Sequence, residues 1–453
     1  MQLPMETTQC CVVGAGPGGM VLALLLARQG IDVVVLEAHR DFERQFRGDG
    51  VHPSTLELID ELGLMDRMLA LRHVRGSDFP IHTPDGNISP PVRRKVPSRF
   101  PEPLAARQTD FLEMLADAAR EYPTFRLVTG ARVEELIQKD GQVVGVRYRG
   151  PDGVGEVRAQ LVVGADGRYS KVRQLANIVL HARSRGWDLL SMHLPKSDAD
   201  PPRAYGLYPG YPSFLVISDR VSVWQVGLGL PRGTYQQLRE AGIESVREII
   251  AERAPWLADR LHLLESWNEA SLLVVQVGRV ERWHQPGLLL IGDAAHVMSP
   301  VYGVGINYAI QDAIVAANVL GPRLLTGTVR SRDLAAVQRR REWPTRIMQW
   351  LQTLGELEAL TGPTAIKARI AQRLVDLPLL RDVKTRLMAF GGLRPERLEP
   401  NSHSNSFWRD LYMLPPLAYP WLPAVVPPEL VGEYVAARRA SGLVPEEGHE
   451  MRY

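Results

Sequence analysis

Cysteine is scarce in this sequence, whose 453 residues include only Cys10 and Cys11. The two are adjacent in an apolar run typical of a strand, where neighbouring side chains point to opposite faces, so an ordinary disulfide between them cannot close. We expect core thiols in a reducing compartment and a cytoplasmic protein. The HxxxH, CxxC and GxSxG patterns are also missing, so we expect no metal site and no serine nucleophile elbow.

Neither an excess of one charge nor a long apolar helix stands out. With 53 basic and 51 acidic residues the formal net charge is +2, which gives no electrostatic reason to expect a nucleic acid partner. The arginine run 339–341 is typical of a solvated helix face. The apolar stretch 10–27 follows no basic segment, so we interpret it as a strand and a helix and not as a signal peptide. The stretch 411–431 holds six prolines, which exclude a membrane-spanning helix there.

The sequence does have a glycine turn near its start. Gly14, Ala15, Gly16, Pro17 and Gly19 lie between a strand-like and a helix-like run, and Glu37 ends a second apolar strand. Gly14 permits a tight turn, Gly16 permits close approach of a pyrophosphate, and Gly19 permits close helix–strand packing. Glu37 would accept hydrogen bonds from a ribose 2′-hydroxyl. The pattern predicts a dinucleotide site, with an ordinary glycine loop as the alternative.

The chain is longer than one core usually supports, so we expect two or three domains in an α/β fold. Strands and helices alternate at first, and short strands typical of an antiparallel sheet follow from about residue 177. The alternation of strands and helices then returns. We predict a Rossmann-like nucleotide-binding domain built from discontinuous segments, with an inserted, mainly antiparallel-sheet substrate domain. The predicted bounds are 1–76, 104–176 and 283–330 for the first domain, 77–103 and 177–282 for the second, 331–400 for a helical C-terminal region and 401–453 for a Pro-rich extended tail. Within them we predict helices at 54–71, 109–121 and 306–320, and a hairpin of strands 131–138 and 142–149.

Three more motifs accompany the turn. Asp166 lies in a Gly-Ala-Asp-Gly segment after one apolar strand, Asp293 lies in Gly-Asp-Ala-Ala-His after another, and Gln108 heads a helix. In this order and spacing, with Pro300, Gly303, Gly305 and Asn307 after the last, they resemble the para-hydroxybenzoate-hydroxylase-like group A flavoprotein monooxygenases over roughly residues 8 to 325. The resemblance implies FAD, with NADH or NADPH as a transient reductant that needs no second dinucleotide domain.

The resemblance also implies roles for single residues. The glycine turn would hold the pyrophosphate, Glu37 the adenosine ribose and Asp293 the ribityl hydroxyls. Asp166 would lie near cofactor and nicotinamide, although it could simply cap a helix. Helix N-terminal amides after the Pro300 segment would stabilise the reduced, anionic flavin. The remaining FAD contacts implied are Arg47 to the phosphates, Gln108 to the ribityl region, Val133 to adenine, and Pro300, Gly303, Gly305, Ile306 and Asn307 around the ring.

The implied reaction is hydroxylation of an aromatic or polyketide-like small molecule with molecular oxygen, through a flavin C4a-hydroperoxide. Tyr302 occupies a place where the family usually has glycine, so we expect it to affect passage of substrate or the mobile ring. His193 is the candidate proton acceptor, because its titration lies near neutrality. Tyr205, Tyr211 and Trp224 are candidate substrate contacts, although aromatic residues at strand spacing are also typical of a core. His296 is expected to be a structural hydrogen-bonding residue.

Other outcomes stay open from the sequence. The same fold could support Baeyer-Villiger oxygenation, reduction, or flavin binding without turnover by a sensor or sequestering protein. The WxWxIP signature of flavin halogenases is missing, which argues against halogenation. A homodimer is a possible assembly, and we expect no membrane span.

Overall fold

The computed structural model describes residues 5–43, 50–76, 79–83, 86–88, 96, 98–210, 212–220, 222–361, 378–392 and 395–398. Arg47, Tyr211 and the Pro-rich tail 401–453 lie outside the described residues. None of the described helices combines the length and the apolar character that crossing a bilayer requires. Among the described residues, no group of three or more His, Cys, Asp or Glu side chains could hold a metal ion.

The described strands and helices follow the chain in this order. The strands are β1 (Glu6–Val13), β2 (Val33–Glu37), β3 (Gly50–Val51), β4 (His73–Arg75), β5 (Ile81–Thr83), β6 (Gly86–Ile88), β7 (Leu104–Ala106), β8 (Phe125–Thr129), β9 (Arg132–Lys139), β10 (Gln142–Gly150), β11 (Gly153–Gly164), β12 (Leu180–Pro195), β13 (Gly206–Tyr208), β14 (Phe214–Asp219), β15 (Val223–Pro231), β16 (Ala270–Val280), β17 (His284–Gln285), β18 (Leu288–Leu290) and β19 (His296–Val297). The α-helices are α1 (Pro17–Arg28), α2 (Pro53–Glu61), α3 (Met65–Ala70), α4 (Gln108–Arg120), α5 (Lys171–Leu175), α6 (Tyr235–Glu240), α7 (Ile243–Arg253), α8 (Gly305–Leu325), α9 (Ser331–Thr361) and α10 (Pro378–Phe390). Short 3-10 turns are Pro255–Leu263, Trp267–Glu269, Gly292–Ala294 and Val301–Gly303.

The first sheet has the order β17-β18-β11-β1-β2-β8, with β9 and β10 attached beside β11. Its centre is parallel, and Val12 of β1 lies between Val163 and Val35 of its neighbours. Apolar runs form these strands because both faces are covered, and α1 packs beside α8 and α4. Parallel strands align their carboxyl ends, so the glycine turn and the segments that follow β11 and β18 meet at one edge.

The second sheet has the order β19-β16-β12-β15-β14-β13-β5-β6 and is antiparallel except where β13 pairs with β5. One of its faces packs against α7 and the turn Pro255–Leu263. The other face carries a smaller apolar cluster that also includes Val301, which follows β19 in the chain. This mixed architecture of a parallel and an antiparallel sheet with C-terminal helices confirms the predicted fold class.

Local features follow the sequence closely, with one exception. Asp140 and Gly141 both have positive φ (51° and 77°), as the predicted hairpin turn requires. Cys10 and Cys11 are free and fully buried, and burial raises the pKa of the Cys10 thiol to about 12. The helix predicted at 54–71 is instead divided into α2 and α3, because Gly63 adopts φ 72° between them.

Candidate active site

The three glycines of the turn have different surroundings. Gly14 has φ 102°, and a Cβ there would lie 2.6 Å from the Ala165 carbonyl oxygen; a Cβ on Gly19 would lie 2.0 Å from that of Gly14. A Cβ on Gly16 would meet no described atom within 4 Å. Gly16 is the N-cap of α1, and no described side chain caps that helix. Open space beside uncapped amides fits a diphosphate, which the first turn of a helix binds through its N–H groups and dipole.

Glu37 holds the turn against the end of β2. It is 2 % exposed, and its carboxylate accepts hydrogen bonds from the Ala15 amide (2.8 Å) and the His39 amide (3.0 Å). The start of β9 lies beside the same strand end, because the Ala131 amide donates to the Glu37 carbonyl oxygen at 2.7 Å. Val133, two residues further along, is buried. The candidate ribose and adenine residues therefore lie near one strand end, while Gln108 is the buried first residue of α4.

Asp166 and Asp293 follow neighbouring strands and have different environments. The Asp166 carboxylate accepts from Ser170 Oγ (2.5 Å) and the Val172 amide (3.0 Å), which is the helix-capping alternative stated above. Burial raises its pKa, against the opposing effect of these bonds. The Asp293 side chain is 32 % exposed and lies 3.9 Å from the Arg168 guanidinium. Asp293 therefore keeps carboxylate surface for a ligand, whereas Asp166 is engaged at the start of α5.

Arg168 is a site residue that the sequence did not single out. Besides its contact with Asp293, its Nη1 donates to the Val274 carbonyl oxygen of β16 at 3.1 Å. It thus connects the edge of the first sheet to the second sheet. Its position directly after the Gly-Ala-Asp-Gly segment is the feature of the sequence that could have identified Arg168 as a site residue.

A buried ionic chain lies behind this edge. His296 Nε2 lies 2.7 Å from Asp312 Oδ2, and Arg341 Nε donates to Asp312 Oδ1 at 2.8 Å; all three residues are fully buried. Burial acts to raise the pKa of Asp312, but attraction to His296 and Arg341 outweighs it and holds that pKa below its usual range. His296 is structural, as expected.

The arginine run 339–341 is only in part the solvated face that the sequence suggests, because Arg339 is exposed but the next two arginines are buried. Arg340 is 5 % and Arg341 0 % exposed. Arg340 binds the Glu396 carboxylate (3.0 Å), and Arg341 binds Asp312 as described. A run of like charges gives no sign of acidic partners that lie far away along the chain, so the expectation was wrong for Arg340 and Arg341.

The segment from residue 297 to 305, called here the 297–305 loop, leads from β19 into α8. Within it Tyr302 has φ 69° and Gly303 φ 60°. A Cβ on Gly303 would meet no described atom within 4 Å, and that on Gly305 only Met298 Cβ at 3.9 Å. No described side chain caps α8, so its first amides are available to an anionic group. Pro300 is the N-cap residue of the 3-10 turn Val301–Gly303, and Ile306 packs against the core of the first sheet.

Asn307 joins α8 to the segment around α2. Its Nδ2 donates to the Gly50 carbonyl oxygen (3.0 Å), and its Oδ1 accepts from the His52 amide and Thr55 Oγ1 (both 2.9 Å). These bonds use the side-chain amide within the protein. A contribution of Asn307 to cofactor binding would therefore come from its backbone or from the second proton of Nδ2.

The second sheet corrects one substrate candidate. Trp224 is 4 % exposed, donates to Asp200 Oδ2 at 2.6 Å and belongs to the apolar cluster beside α7. That cluster lies on the face away from Val301, so Trp224 is a core residue. Tyr205 packs against the same cluster. Alternation places Gln225, the next residue of β15, on the opposite face.

The face toward Val301 is an apolar wall with one polar row. Its buried apolar side chains are Trp187, Leu189, Phe214 and Val275. Ser191 and His193 lie on the same face of β12 as Leu189, because side chains alternate along a strand. His193 pairs across the sheet with Gln225. Gln225 Nε2 donates to Ser191 Oγ at 2.9 Å, and Arg220 Nε donates to Gln225 Oε1 at 2.7 Å. The exposed His193 ends this row, and partial burial together with the charge of Arg220 lowers its pKa.

A glycine turn at a helix N-terminus, joined to a second sheet that faces the 297–305 loop, is the arrangement expected of an FAD-dependent oxidoreductase. The model of a family described as FAD binding domain matches residues 7–350, and the chain belongs to this family. It is 34 % identical to 6-methylpretetramide 4-monooxygenase of Streptomyces rimosus, over 85 % of this chain and 92 % of that protein. It is 28 % identical to an aklavinone 12-hydroxylase of Streptomyces purpurascens, over 78 % and 72 %. The p-nitrophenol 4-monooxygenase structure from Pseudomonas putida superposes with a TM-score of 0.70 at 22 % identity, covering 87 % of this chain and 100 % of that one. The protein is an FAD-dependent monooxygenase.

Proposed function

We propose that this monooxygenase hydroxylates an aromatic polyketide that carries a phenolic hydroxyl, with NADH or NADPH as reductant. The observation that carries the proposal is the wall beside Val301, where aromatic and aliphatic side chains share one face of the sheet with a row of hydrogen-bonding groups. Flat apolar surface favours fused rings, and a few placed polar groups fix their orientation. Two relatives are named for 6-methylpretetramide and aklavinone.

The polar row favours an anionic oxygen on the substrate. Arg220 fixes Gln225 by donating to its Oε1, and Gln225 in turn donates to Ser191 Oγ. Because Ser191 Oγ accepts this hydrogen bond, the Ser191 hydroxyl donates its own proton to a different acceptor. The positive charge of Arg220 polarises the hydrogen bonds from Arg220 through Gln225 to Ser191 and so strengthens that donation. A phenolate oxygen bound to Ser191 would make the ring electron-rich for oxygen transfer.

His193 supplies the matching proton acceptor. Its lowered pKa favours the neutral imidazole, which can accept a proton, and His193 lies at the exposed end of the same row. It would take the phenolic proton and pass it to solvent. Bound FAD supplies the redox chemistry and the activation of oxygen. Trp187, Leu189 and Phe214 would exclude water from the reacting ring, which suppresses unproductive oxidation of the reductant.

The test is oxygen incorporation from ¹⁸O₂, followed by mass spectrometry, with 6-methylpretetramide and aklavinone as substrates and each nicotinamide in turn. We expect one labelled oxygen in a product with an added hydroxyl. Gln225→Leu removes the link between Arg220 and Ser191 and should lower kcat/KM about tenfold, the value of one hydrogen bond to a charged partner. Val226→Ala, on the other face of β15, should lower stability and leave kcat/KM unchanged.

Two results would count against this function. A lactone product with the labelled oxygen inserted into a ring would establish Baeyer-Villiger oxygenation instead. Reductant oxidation that none of these phenols accelerates, with full FAD bound, would favour flavin binding without turnover. Homodimer formation and location in the cytoplasm remain proposals, to be tested by light scattering and cell fractionation.

A further inference from the structure

The C-terminal helix α9 binds the main chain of the 297–305 loop through a buried glutamine. Gln352 is fully buried, and its Oε1 accepts from the Ser299 amide at 3.2 Å. Its Nε2 donates to the carbonyl oxygens of Ser299 (2.9 Å) and Val301 (2.8 Å). One side chain therefore satisfies three main-chain groups directly before Tyr302.

A second glutamine lies one helical turn earlier on the same face of α9. Gln349 is 5 % exposed, and its Nε2 donates to the carbonyl oxygens of Gly278 and Val297, both at 3.0 Å. Its Oε1 accepts from Arg279 at 3.3 Å. Residues three apart on a helix are neighbours on its surface, so the side-chain amides of Gln349 and Gln352 lie on the same face of α9. Gln349 joins the beginning of the loop to β16, and Gln352 holds its middle.

Apolar packing and a charge complete this attachment. Met298, Val304 and Tyr308 form one buried cluster with residues of α9 and α10, namely Met348, Leu351, Leu387 and Met388. The Lys384 ammonium of α10 lies over the Tyr302 ring, 4.6 Å from its centroid. Both C-terminal helices thus contact the loop that precedes α8.

The backbone at Tyr302 explains why the loop needs such support. A non-glycine residue at φ 69° is strained, and such a conformation persists where its surroundings fix it. Buried main-chain donors and acceptors must also find partners, and here the partners of Ser299 and Val301 come from Gln352. Without them the loop would have other arrangements open to it.

We propose that Gln349 and Gln352 are positioning residues that fix the 297–305 loop, and with it the first amides of α8, in one place relative to bound flavin. The proposal rests on FAD binding, which the family establishes, and not on the identity of the substrate. Helix N-terminal amides favour a nearby anion. A loop held in register would therefore favour the reduced, anionic cofactor, and a released loop would favour it less.

The experiment measures the midpoint potential of bound flavin in Gln352→Leu, by anaerobic titration with dithionite and a reference dye. We expect a shift to more negative potential, and a tenfold loss of preference for the reduced form corresponds to about 30 mV for a two-electron couple. Gln352→Glu is the second variant, because it keeps the length and the acceptor but loses both donations. With substrate present, more hydrogen peroxide should form per NADH consumed.

The matched control is Gln338→Leu on the same helix. Gln338 also bridges main-chain groups, accepting from the Trp283 amide (3.0 Å) and donating to the Glu281 carbonyl oxygen (2.8 Å), but away from the loop. It should lower thermal stability and leave the flavin potential unchanged. An unchanged potential in folded Gln352→Leu or Gln352→Glu would overturn the proposal, and so would an equal shift in Gln338→Leu. Unfolding of both Gln352 variants alongside a folded control would assign Gln352 to the fold and also overturn it.

Discussion

Gly16→Ala tests whether the open space beside Gly16 is needed for FAD binding but not for folding. Gly16 has φ −71° and ψ 177°, which alanine adopts freely, and an added Cβ would meet no described atom within 4 Å. Alanine is the poorer N-cap, but it has less conformational freedom to lose on folding, so the two effects offset to within about 1 kcal/mol. We expect the variant apoprotein to unfold at the same urea concentration as the wild-type apoprotein.

The same methyl group occupies the approach to the first amides of α1. A hydrogen bond to a charged group contributes about 1.5–3 kcal/mol, and about 1.4 kcal/mol is a factor of ten in affinity. Displacing one such bond to phosphate should weaken FAD binding about ten- to hundredfold. Titration of apoprotein with FAD, followed by flavin fluorescence, measures this. Wild-type affinity in folded Gly16→Ala would refute the reasoning.

Gly19→Ala is the control for that reasoning. Its Cβ would lie 2.0 Å from the Gly14 carbonyl oxygen, a main-chain atom that cannot move aside without shifting the turn. Overpacking of this kind costs about 1–3 kcal/mol or more. The apoprotein should therefore lose stability even before FAD is added. Equal stability of the Gly16→Ala and Gly19→Ala apoproteins would contradict the clearances on which the prediction is based.

Three further predictions concern single side chains. Asp312→Asn removes the carboxylate that Arg341 binds at 2.8 Å and leaves the buried guanidinium with the more distant Glu396 carboxylate (3.9 Å), so it should destabilise the protein by about 3 kcal/mol. Because the pKa of Asp312 is lowered, the difference in urea stability should persist above its ordinary value of 3.8 and disappear as the pH falls through the lower, folded-state value. Tyr302→Gly should change the anaerobic rate of reduction by NADH or NADPH, measured by stopped flow, more than FAD affinity, and an unchanged rate would reject a gating role. In wild type the acid limb of kcat/KM should fall at a pH below the ordinary 6.5 of histidine, and His193→Gln should abolish that limb; if the limb survives, another group is the base.

The residues of the candidate diphosphate site could be singled out in the sequence because the constraints on them are local. Gly14 and Gly19 are constrained by main-chain atoms within the turn or directly behind it, whereas Gly16 faces open space at the start of α1. The order of strand, turn and helix can be read from adjacent residues of the sequence. The residues around Asp293 were found for a similar reason, since the carboxyl end of a buried strand is visible as the end of an apolar run.

The substrate wall was harder to predict because β15 is buried on both faces. Its seven central residues, 224–230, are all buried, so no polar and apolar alternation marks which side faces the reacting centre. Trp224 was chosen for its chemistry, but the polar Gln225 beside it lies on the face toward Val301. In a strand that is buried on both faces, the layer that covers each face decides which side chains point toward the active site. The sequence of the strand itself does not identify those layers.

The C-terminal helices show a further reason why sequence alone falls short. Gln352 bonds to the main chain of Ser299 and Val301. Because main-chain groups are the same at nearly every residue, no pattern of side chains in the loop predicts which glutamine binds it. Arg341 and Asp312 are 29 residues apart, and neither segment alone distinguishes a buried pair from two solvated charges. Helical periodicity identifies α9 as a helix but not the surface that its polar face meets. A glutamine with no exposed surface, surrounded by carbonyl oxygens, is therefore the observation that gives this helix a role at the active site.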